Sequence, residues 1–360
     1  MKNIDDLYKL SPVQQDLLND RLSAQAIYAI EGQLDHARFK TAWEQALARH
    51  VTLRTAFYWK GLEKPVQAVQ QRPSLLFEVY DWRSANEQSQ KLEALISDDR
   101  KLSFDLNRAP LMRLSLIQLA SDVHRLIWTY HPLILDQASA ALVIDNVFRL
   151  YRSERLNGTG SFKEYISWLR QQERTGSEQF WSELLRGCDS PSTLDGVAVS
   201  TFGPRNEQQA QLSDSLSTAL QNFLNQHQIT MTALLAGAWA LLLCRYNDQD
   251  EAVFGVAFSG RPDSLPQINS IAGPFGNVLP ARLRVPRHEQ LATWLKKIEA
   301  WYESAKEHQH VGQQEIRNWS NLPETSFESL ISVLPAVSTI RSPEPRVELL
   351  HQFTGMDHAL

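Results

Sequence analysis

His131 and Asp136 stand in the stretch HPLILDQAS, which follows an apolar run with the alternation of a β-strand. A histidine where a strand meets a loop is well placed for general-base chemistry. A strand places side chains of odd spacing on opposite faces, so the spacing of five residues does not make these two groups simple partners. The spacing alone therefore favours His131 as a strand-end histidine and Asp136 as the cap of the next helix.

Two later segments could also carry chemistry. GVAFSGRPDS places Arg261 at a turn that Pro262 stiffens, and a buried carboxylate is the partner expected for such an arginine, in a structural role. IAGPFGNVLPARLRV, residues 271–285, contains neither a P-loop nor a GxGxxG pattern, so a turn into an edge strand is favoured over a phosphate cradle. The sequence has no GxSxG elbow, HExxH helix or Cys/His metal cluster.

The composition excludes several classes of protein. Of the 360 residues, 43% are hydrophobic and 21% charged, the net charge is −5, and no Lys/Arg block appears. This balance argues against a nucleic-acid or anionic-membrane surface. The two cysteines lack metal-type spacing and indicate a reducing compartment. The N-terminus does not resemble a signal peptide, and the longest apolar stretch, residues 233–244, is too short to span a bilayer. We therefore expect a cytoplasmic protein without a membrane segment.

The periodicity of the chain predicts a mixed α/β protein of two lobes, because 360 residues exceed one compact core. Up to about residue 155 the predicted order is α-β-α-β-β-α-β-β-α, with one strand over 124–135 and a helix from 137. A Pro/Ser/Gly-rich stretch at 187–205 suits an interdomain crossing. After it, a strand at 208–213, two helices and a strand at 250–260 are predicted. We expect an N-terminal lobe over 1–175 and a C-terminal lobe over 176–360.

Eight segments, in order, resemble the condensation-domain family of nonribosomal peptide synthetases along the whole chain. They are LYKLSPVQQDLL, IEGQLDHARFKTAWEQALARHVTLRTAF, FDLNRAPLMRLSLIQL, FKEYISWLRQQE, FWSELLRG, FGVAFSGRP, IAGPFGNVLPARL and SFESLISVLP. The resemblance implies two chloramphenicol-acetyltransferase-like lobes in a V around a tunnel. It also implies an activity, in which an amine attacks a thioester, both carried by carrier proteins, to form an amide.

The active-site motif departs from the family pattern His-His-x-x-x-Asp-Gly. The first His and the Asp are His131 and Asp136, but Pro132 replaces the second, catalytic His and Gln137 replaces the Gly. Proline carries no side-chain donor or acceptor, so it can neither take a proton nor orient an amine. Gln137 adds a long side chain that is expected to crowd the tunnel, and Ala138 stands where the family has an aromatic residue.

The resemblance implies roles for further residues and partners. It implies an ion pair between Asp136 and Arg261, and it places Ser259, Gly273, Phe275 and Asn277 along the tunnel and its floor loop. It implies no metal and no cofactor of the chain's own, since carrier proteins bring the phosphopantetheine arm. The expected partners are these carriers, neighbouring synthetase domains and, in a recruiting role, a tailoring enzyme. Nucleic acid and membrane are not expected.

Three functions remain open at this point. The first is a condensation-like domain with impaired amide formation, acting as a docking or recruiting platform, which Pro132 favours. The second is an active enzyme, since holding two tethered reactants together can lower a barrier by roughly 7–11 kcal/mol. The third is a decayed fragment, because family members run on after VELLHQFTGMDHAL with strands and helices that complete the second lobe. A heterocyclisation member does not fit, because that variant has Asp where His131 stands.

Overall fold

A computed structural model describes residues 3–18, 22–158, 160–188, 192–193, 208, 210–320, 327–334 and 345–355. Its strands are β1 Ile4–Lys9, β2 Ser23–Glu31, β3 Thr55–Tyr58, β4 Val66–Gln70, β5 Leu76–Asp81, β6 Met112–Gln118, β7 Val123–Tyr130, β8 Glu251–Phe258, β9 Asn277–Arg284, β10 Leu330–Ile331 and β11 Arg346–Gly355. Its helices are α1 Pro12–Asp16, α2 His36–Arg49, α3 Gln88–Lys101, α4 Gln137–Tyr151, α5 Phe162–Leu169, α6 Arg174–Leu184, α7 Asp214–His227, α8 Met231–Tyr246, α9 Leu291–Glu307 and α10 Gln313–Trp319. Short 3-10 helices cover Val51–Arg54 and Ile268–Ser270.

The chain divides into two compact units. The first contains the described residues of Met1–Gln172, Arg261–Phe275 and Ala336–Met356, and the second those of Glu173–Gly260 and Gly276–Pro335. Two segments that follow residue 175 thus belong with the first unit. The mixed α/β class predicted from the sequence is confirmed.

The first unit contains a five-stranded sheet in the order β11-β2-β7-β6-β5 and a three-stranded sheet in the order β1-β4-β3. Helices α2 and α4 cover one face of the larger sheet, where the rings of Trp43 and Trp128 lie 4.9 Å apart. Asp35 caps α2 by accepting a hydrogen bond from the Arg38 amide. These helices thus pack against β7, whose end precedes the candidate site.

The second unit contains a three-stranded sheet in the order β10-β8-β9. Its core brings Trp181 of α6 and small residues of α8 together with Trp294 and Leu295 of α9. Among the described residues, no single helix is long and apolar enough to cross a bilayer, and α7 with α8 passes such a test only as a pair bent by 105°.

Several predicted elements need correction. The strand predicted at 208–213 is wrong for the described residues 208 and 210–213, which are exposed and pair with no strand. The strand predicted over 124–135 ends at Tyr130, because the chain turns at His131. Strands β1, β5 and β11 were not predicted. Most of the stretch 187–205 lies outside the described residues.

Candidate functional site

The motif loop, residues 131–136, connects β7 to α4 in the first unit. The His131 amide donates to the Leu111 carbonyl at 2.9 Å, and the Ile134 amide donates back to the His131 carbonyl at 3.0 Å. The side chains of Leu133, Ile134 and Leu135 are fully buried in the core between α2, α4 and the sheet. The loop is therefore a tight turn anchored by apolar side chains.

The imidazole of His131 forms a hydrogen bond within this turn. The side chain is buried, and its Nδ1 accepts a hydrogen bond from the Leu133 amide at 3.1 Å. An acceptor nitrogen carries no proton, so the neutral ring holds its hydrogen on Nε2. The ring also meets Phe104 edge to face, with centroids 6.2 Å apart. The strand-face argument applied to His131 and Asp136 was wrong, because neither residue lies in a strand.

Pro132 and Gln137 occupy the two positions that depart most from the family motif. Pro132 is buried in the turn and offers no side-chain hydrogen bond. Gln137 is the first residue of α4, and its side-chain Nε2 donates to Gln352 Oε1 of β11 at 2.8 Å. Gln352 in turn donates to the Tyr130 hydroxyl at 3.3 Å, and burial strongly raises the pKa of that hydroxyl. Gln137 therefore joins the start of α4 to an edge strand of the described sheet.

Asp136 caps α4, as its spacing alone predicts. One carboxylate oxygen accepts from the Ser139 amide at 2.7 Å, and the other accepts from the Phe275 amide at 3.0 Å. The Asp136 amide donates to the Gly273 carbonyl at 3.2 Å. Asp136 thus fixes the segment around residue 275 to the beginning of the helix.

Arg261 precedes the segment around residue 275 in the chain, and its guanidinium also lies at the start of α4. Its Nη2 lies 3.7 Å from Asp136 Oδ1, which is an attractive distance for opposite charges but longer than a hydrogen bond. The guanidinium donates to Ser139 Oγ at 2.8 Å and to the Ile268 carbonyl at 2.6 Å, and it lies over the Phe275 ring at 4.1 Å. Burial lowers the pKa of Arg261, and the Asp136 charge opposes that shift.

Ser139 is the residue that sequence reasoning missed. Its hydroxyl donates to the Gly273 carbonyl at 2.6 Å and accepts from the Gly273 amide at 2.9 Å and from Arg261. One hydroxyl has one proton and two lone pairs, so this side chain is fully used. A serine on the first turn of a helix does not by itself indicate a functional role. The sequence feature that could have indicated one is its position one turn after the capping Asp.

Gly273 and Phe275 form the wall of this site. A Cβ at Gly273 would lie 2.3 Å from Cδ2 of Phe162, so no larger residue fits without movement. Phe275 is fully buried, and its ring lies 4.8 Å from that of Tyr165. The backbone groups of Gly273 bond to Asp136 and Ser139, which leaves a turn rather than a phosphate cradle.

Ser259 and Asn277 belong to the second unit. Asn277 is buried at the start of β9, and its Nδ2 donates to the carbonyls of Gln309 at 3.0 Å and Val311 at 2.7 Å. Ser259 is exposed after β8, and the next amide, of Gly260, donates to Gln309 Oε1 at 2.9 Å. Gln309, which no motif indicated, therefore holds the ends of both strands.

The site in the first unit thus unites Asp136, Ser139, Arg261, Gly273 and Phe275. It can hold a loop in one shape, and it presents neither a nucleophile nor a metal-binding set. In the described part of the chain, no three His, Cys, Asp or Glu side chains converge on a metal position.

Comparison with known proteins gives the family. The model of the condensation domain matches residues 5–339. The chain belongs to the condensation-domain family of nonribosomal peptide synthetases. It is 34% identical over 355 residues to a linear gramicidin synthase of Brevibacillus parabrevis, and this match covers 92% of the present chain and 5% of that protein. It is also 34% identical over 310 residues to the chondramide synthase of Chondromyces crocatus, covering 83% and 8%.

Solved condensation domains share the fold. The first condensation domain of the calcium-dependent antibiotic synthetase, in complex with a substrate analogue, matches with a TM-score of 0.79 at 18% identity. This match covers 97% of the present chain and 84% of that one. The starter condensation domain of rhizomide synthetase matches with a TM-score of 0.77 at 20% identity, over 91% and 78%. The resemblance seen in the motifs is therefore confirmed for family and fold.

Proposed function

We propose that this condensation domain binds acyl and aminoacyl thioesters tethered to carrier proteins but is impaired in joining them, and that it serves as a docking or recruiting platform. The observation that carries the proposal is the motif loop, where Pro132 fills the position of the family's catalytic histidine. The hydrogen-bonded network of Asp136, Ser139 and Arg261 supports an ordered scaffold around that position.

The chemistry explains why position 132 matters. In amide formation the amine nitrogen attacks the thioester carbonyl, a C–N bond forms and the C–S bond breaks. The nitrogen loses a proton, and the leaving thiolate gains one. A neighbouring imidazole can accept or orient that proton, whereas a proline side chain cannot. His131 is a poor substitute, because its Nδ1 is engaged by the Leu133 amide.

The partners follow from the same proposal. The chain spans 5% of the gramicidin synthase and 8% of the chondramide synthase, so carriers and neighbouring domains can lie on the same longer protein. A carrier brings its own phosphopantetheine arm, and the chain needs no further cofactor. In the recruiting role, the recruited partner is a tailoring enzyme. A cytoplasmic location fits the buried free thiols of Cys188 and Cys244.

A binding experiment tests the platform. Carrier proteins would be loaded with an acyl group through a stable amide analogue of the thioester, and their affinity for the wild-type chain would be measured by calorimetry. We expect saturable binding that weakens when the pantetheine arm is absent. A chain that does not distinguish loaded carriers from bare ones would overturn the proposal. Product formed from true thioesters by the wild-type chain would favour the active enzyme instead.

A further inference from the structure

Two glutamines of the first unit form a closed amide pair beneath the motif loop. Gln14 of α1 and Gln67 of β4 are 1% and 0% exposed. Gln67 Nε2 donates to Gln14 Oε1 at 2.8 Å, and Gln14 Nε2 donates to Gln67 Oε1 at 3.2 Å. Gln67 also donates to the Lys9 carbonyl at 3.0 Å, and Gln14 Oε1 accepts from the Ser11 amide at 2.9 Å.

The remaining Gln14 hydrogen points to the motif loop. Gln14 Nε2 donates to the Leu133 carbonyl at 3.0 Å. With this bond, all four amide hydrogens of the two side chains are used. A buried carbonyl without a partner costs free energy, so the amide pair stabilises one orientation of the Leu133 peptide.

The three consecutive peptides from His131 to Ile134 are each held by a hydrogen bond. In the peptide before Pro132 the His131 carbonyl accepts from the Ile134 amide, and in the peptide after Pro132 the Leu133 amide donates to the His131 imidazole. Gln14 holds the carbonyl of the next peptide, between Leu133 and Ile134, whose amide is the donor to the His131 carbonyl. A side chain at position 132 therefore has its direction set by bonds that its own identity does not change.

We infer that Gln14 is a positioning residue for the motif loop, and that its side-chain amide, by holding the Leu133–Ile134 peptide, fixes the turn that directs the side chain at position 132. Gln14 acts through Leu133 and has no part in proton transfer. The inference rests on the proposed function in one respect, since it takes position 132 as the position that decides amide formation. It gives the LSPVQQDLL segment a role beyond starting a helix.

A matched pair of substitutions isolates the contact. Gln14→Glu keeps an acceptor for Ser11 and removes the donors to Leu133 and Gln67. Gln67→Glu removes the donors to Lys9 and Gln14 and leaves the Leu133 bond in place. Both variants put one carboxyl into the same buried pair and lose two donors, so they differ mainly in the contact with the loop. Gln14→Met and Gln67→Met form a second, uncharged pair should the carboxyl variants fail to fold.

The first readout is independent of turnover. Nitrogen NMR of the full chain labelled in histidine reports whether Nδ1 of His131 is unprotonated. We expect the wild-type signature in Gln67→Glu and a mixture of tautomers in Gln14→Glu, with equal losses of thermal stability. Equal His131 spectra in the two variants would overturn the inference, whether both change or neither does.

The second readout uses the Pro132→His background in the amide-forming assay. We expect Gln14→Glu to lower kcat at least about tenfold with little change in KM, as displacement of a catalytic group does, and Gln67→Glu to stay within about threefold. Equal kcat values for the two variants would also overturn the inference about Gln14. If Pro132→His makes no product, the His131 spectra alone test that inference. Product from the wild-type chain would refute the proposed impairment without touching the role of Gln14.

Discussion

The Ser139 hydroxyl uses its whole hydrogen-bonding capacity inside the site, although no motif indicates this residue. Ser139→Ala would remove the buried acceptor of the Gly273 amide and of one Arg261 donor, and one of the two donors to the Gly273 carbonyl. We expect the free energy of unfolding to fall by about 1–3 kcal/mol, measured by urea denaturation. Ser121→Ala, at an exposed turn, is the control and should change it by less than about 0.5 kcal/mol. A loss at Ser139 no larger than the control's would contradict the described network.

His124 makes the stability of the first unit depend on pH. It is fully buried on β7, its Nε2 lies 3.2 Å from that of His36, and burial followed by the His36 charge lowers its pKa to about 4. The unfolded state, with a pKa near 6.5, binds the proton first as pH falls. The stabilisation is therefore complete above about pH 6.5 and is lost progressively towards pH 4, by roughly 3 kcal/mol in all.

His124→Gln tests this pH dependence. We expect the variant to lose less stability than the wild type between pH 7 and pH 5, although its stability at pH 7 is lower. Urea denaturation at several pH values measures the slope. The exposed His288→Gln is the control, with the wild-type slope expected. An unchanged slope in His124→Gln would show that His124 does not gain a proton on unfolding in this range.

For single residues, the sequence predicts a local role, such as a helix cap, better than it predicts contacts with residues far along the chain. Asp136 as a helix cap follows from local spacing, because a cap bonds within its own first turn. Ser139 could not be found in the same way, because its partners Gly273 and Arg261 stand 134 and 122 positions along the chain. The turn at His131 was also missed, since the apolar residues 133–135 continue the pattern of the strand while packing in a loop.

Helix α5 and the segment around Gly273 show how one element fixes another. Phe162, at the start of α5, occupies the space that a Gly273 side chain would need. Gly273→Ala should therefore destabilise the protein by about 1–3 kcal/mol, as overpacking does. Gly176→Ala is the matched control on α6, where a Cβ meets nothing within 4 Å, and it should stabilise the protein by up to about 1 kcal/mol. Thermal unfolding measures both, and a neutral Gly273→Ala would contradict the described packing.

Strong burial patterns account for three of the strands that the sequence predicted. Strands β2, β7 and β8 are buried on both faces over most of their length and appear as apolar runs. Strand β5 is mostly exposed, and β1 mixes acidic and apolar residues, so neither pattern exceeds that of a loop. The strand predicted at 208–213 was an error of the opposite kind, because a weak alternation of residues was taken for a strand although no neighbouring strand pairs with its described residues.

On the scale of the whole molecule, the order of residues along the chain does not follow the order of packing. Strand β11 pairs antiparallel with β2, and Arg261 and Gly273 bond to α4, so the first unit needs residues from three parts of the chain. Motif order identifies the family but contains no information on which unit receives a late segment. Pairing between distant strands is a property of the folded chain.

A cut at residue 175 tests this arrangement. We expect the fragment 1–175 alone to lack native structure, because β2 loses β11 and the site loses Arg261 and Gly273. Addition of the fragment 176–360 should restore native dispersion in proton–nitrogen NMR spectra. A fragment 1–175 with the spectrum of the intact chain would instead support an independent N-terminal lobe that ends there.

The most direct measurement of the central claim is single-turnover amide formation by the wild-type chain beside Pro132→His. Acyl and aminoacyl carriers would be mixed with each protein in excess, and products would be detected by mass spectrometry over a panel of donors and acceptors, with His131→Ala as a further control. We predict no amide above the uncatalysed background from the wild type, and product from Pro132→His on the same scaffold. Product from the wild type that disappears in His131→Ala would contradict the account and make His131 the catalytic base.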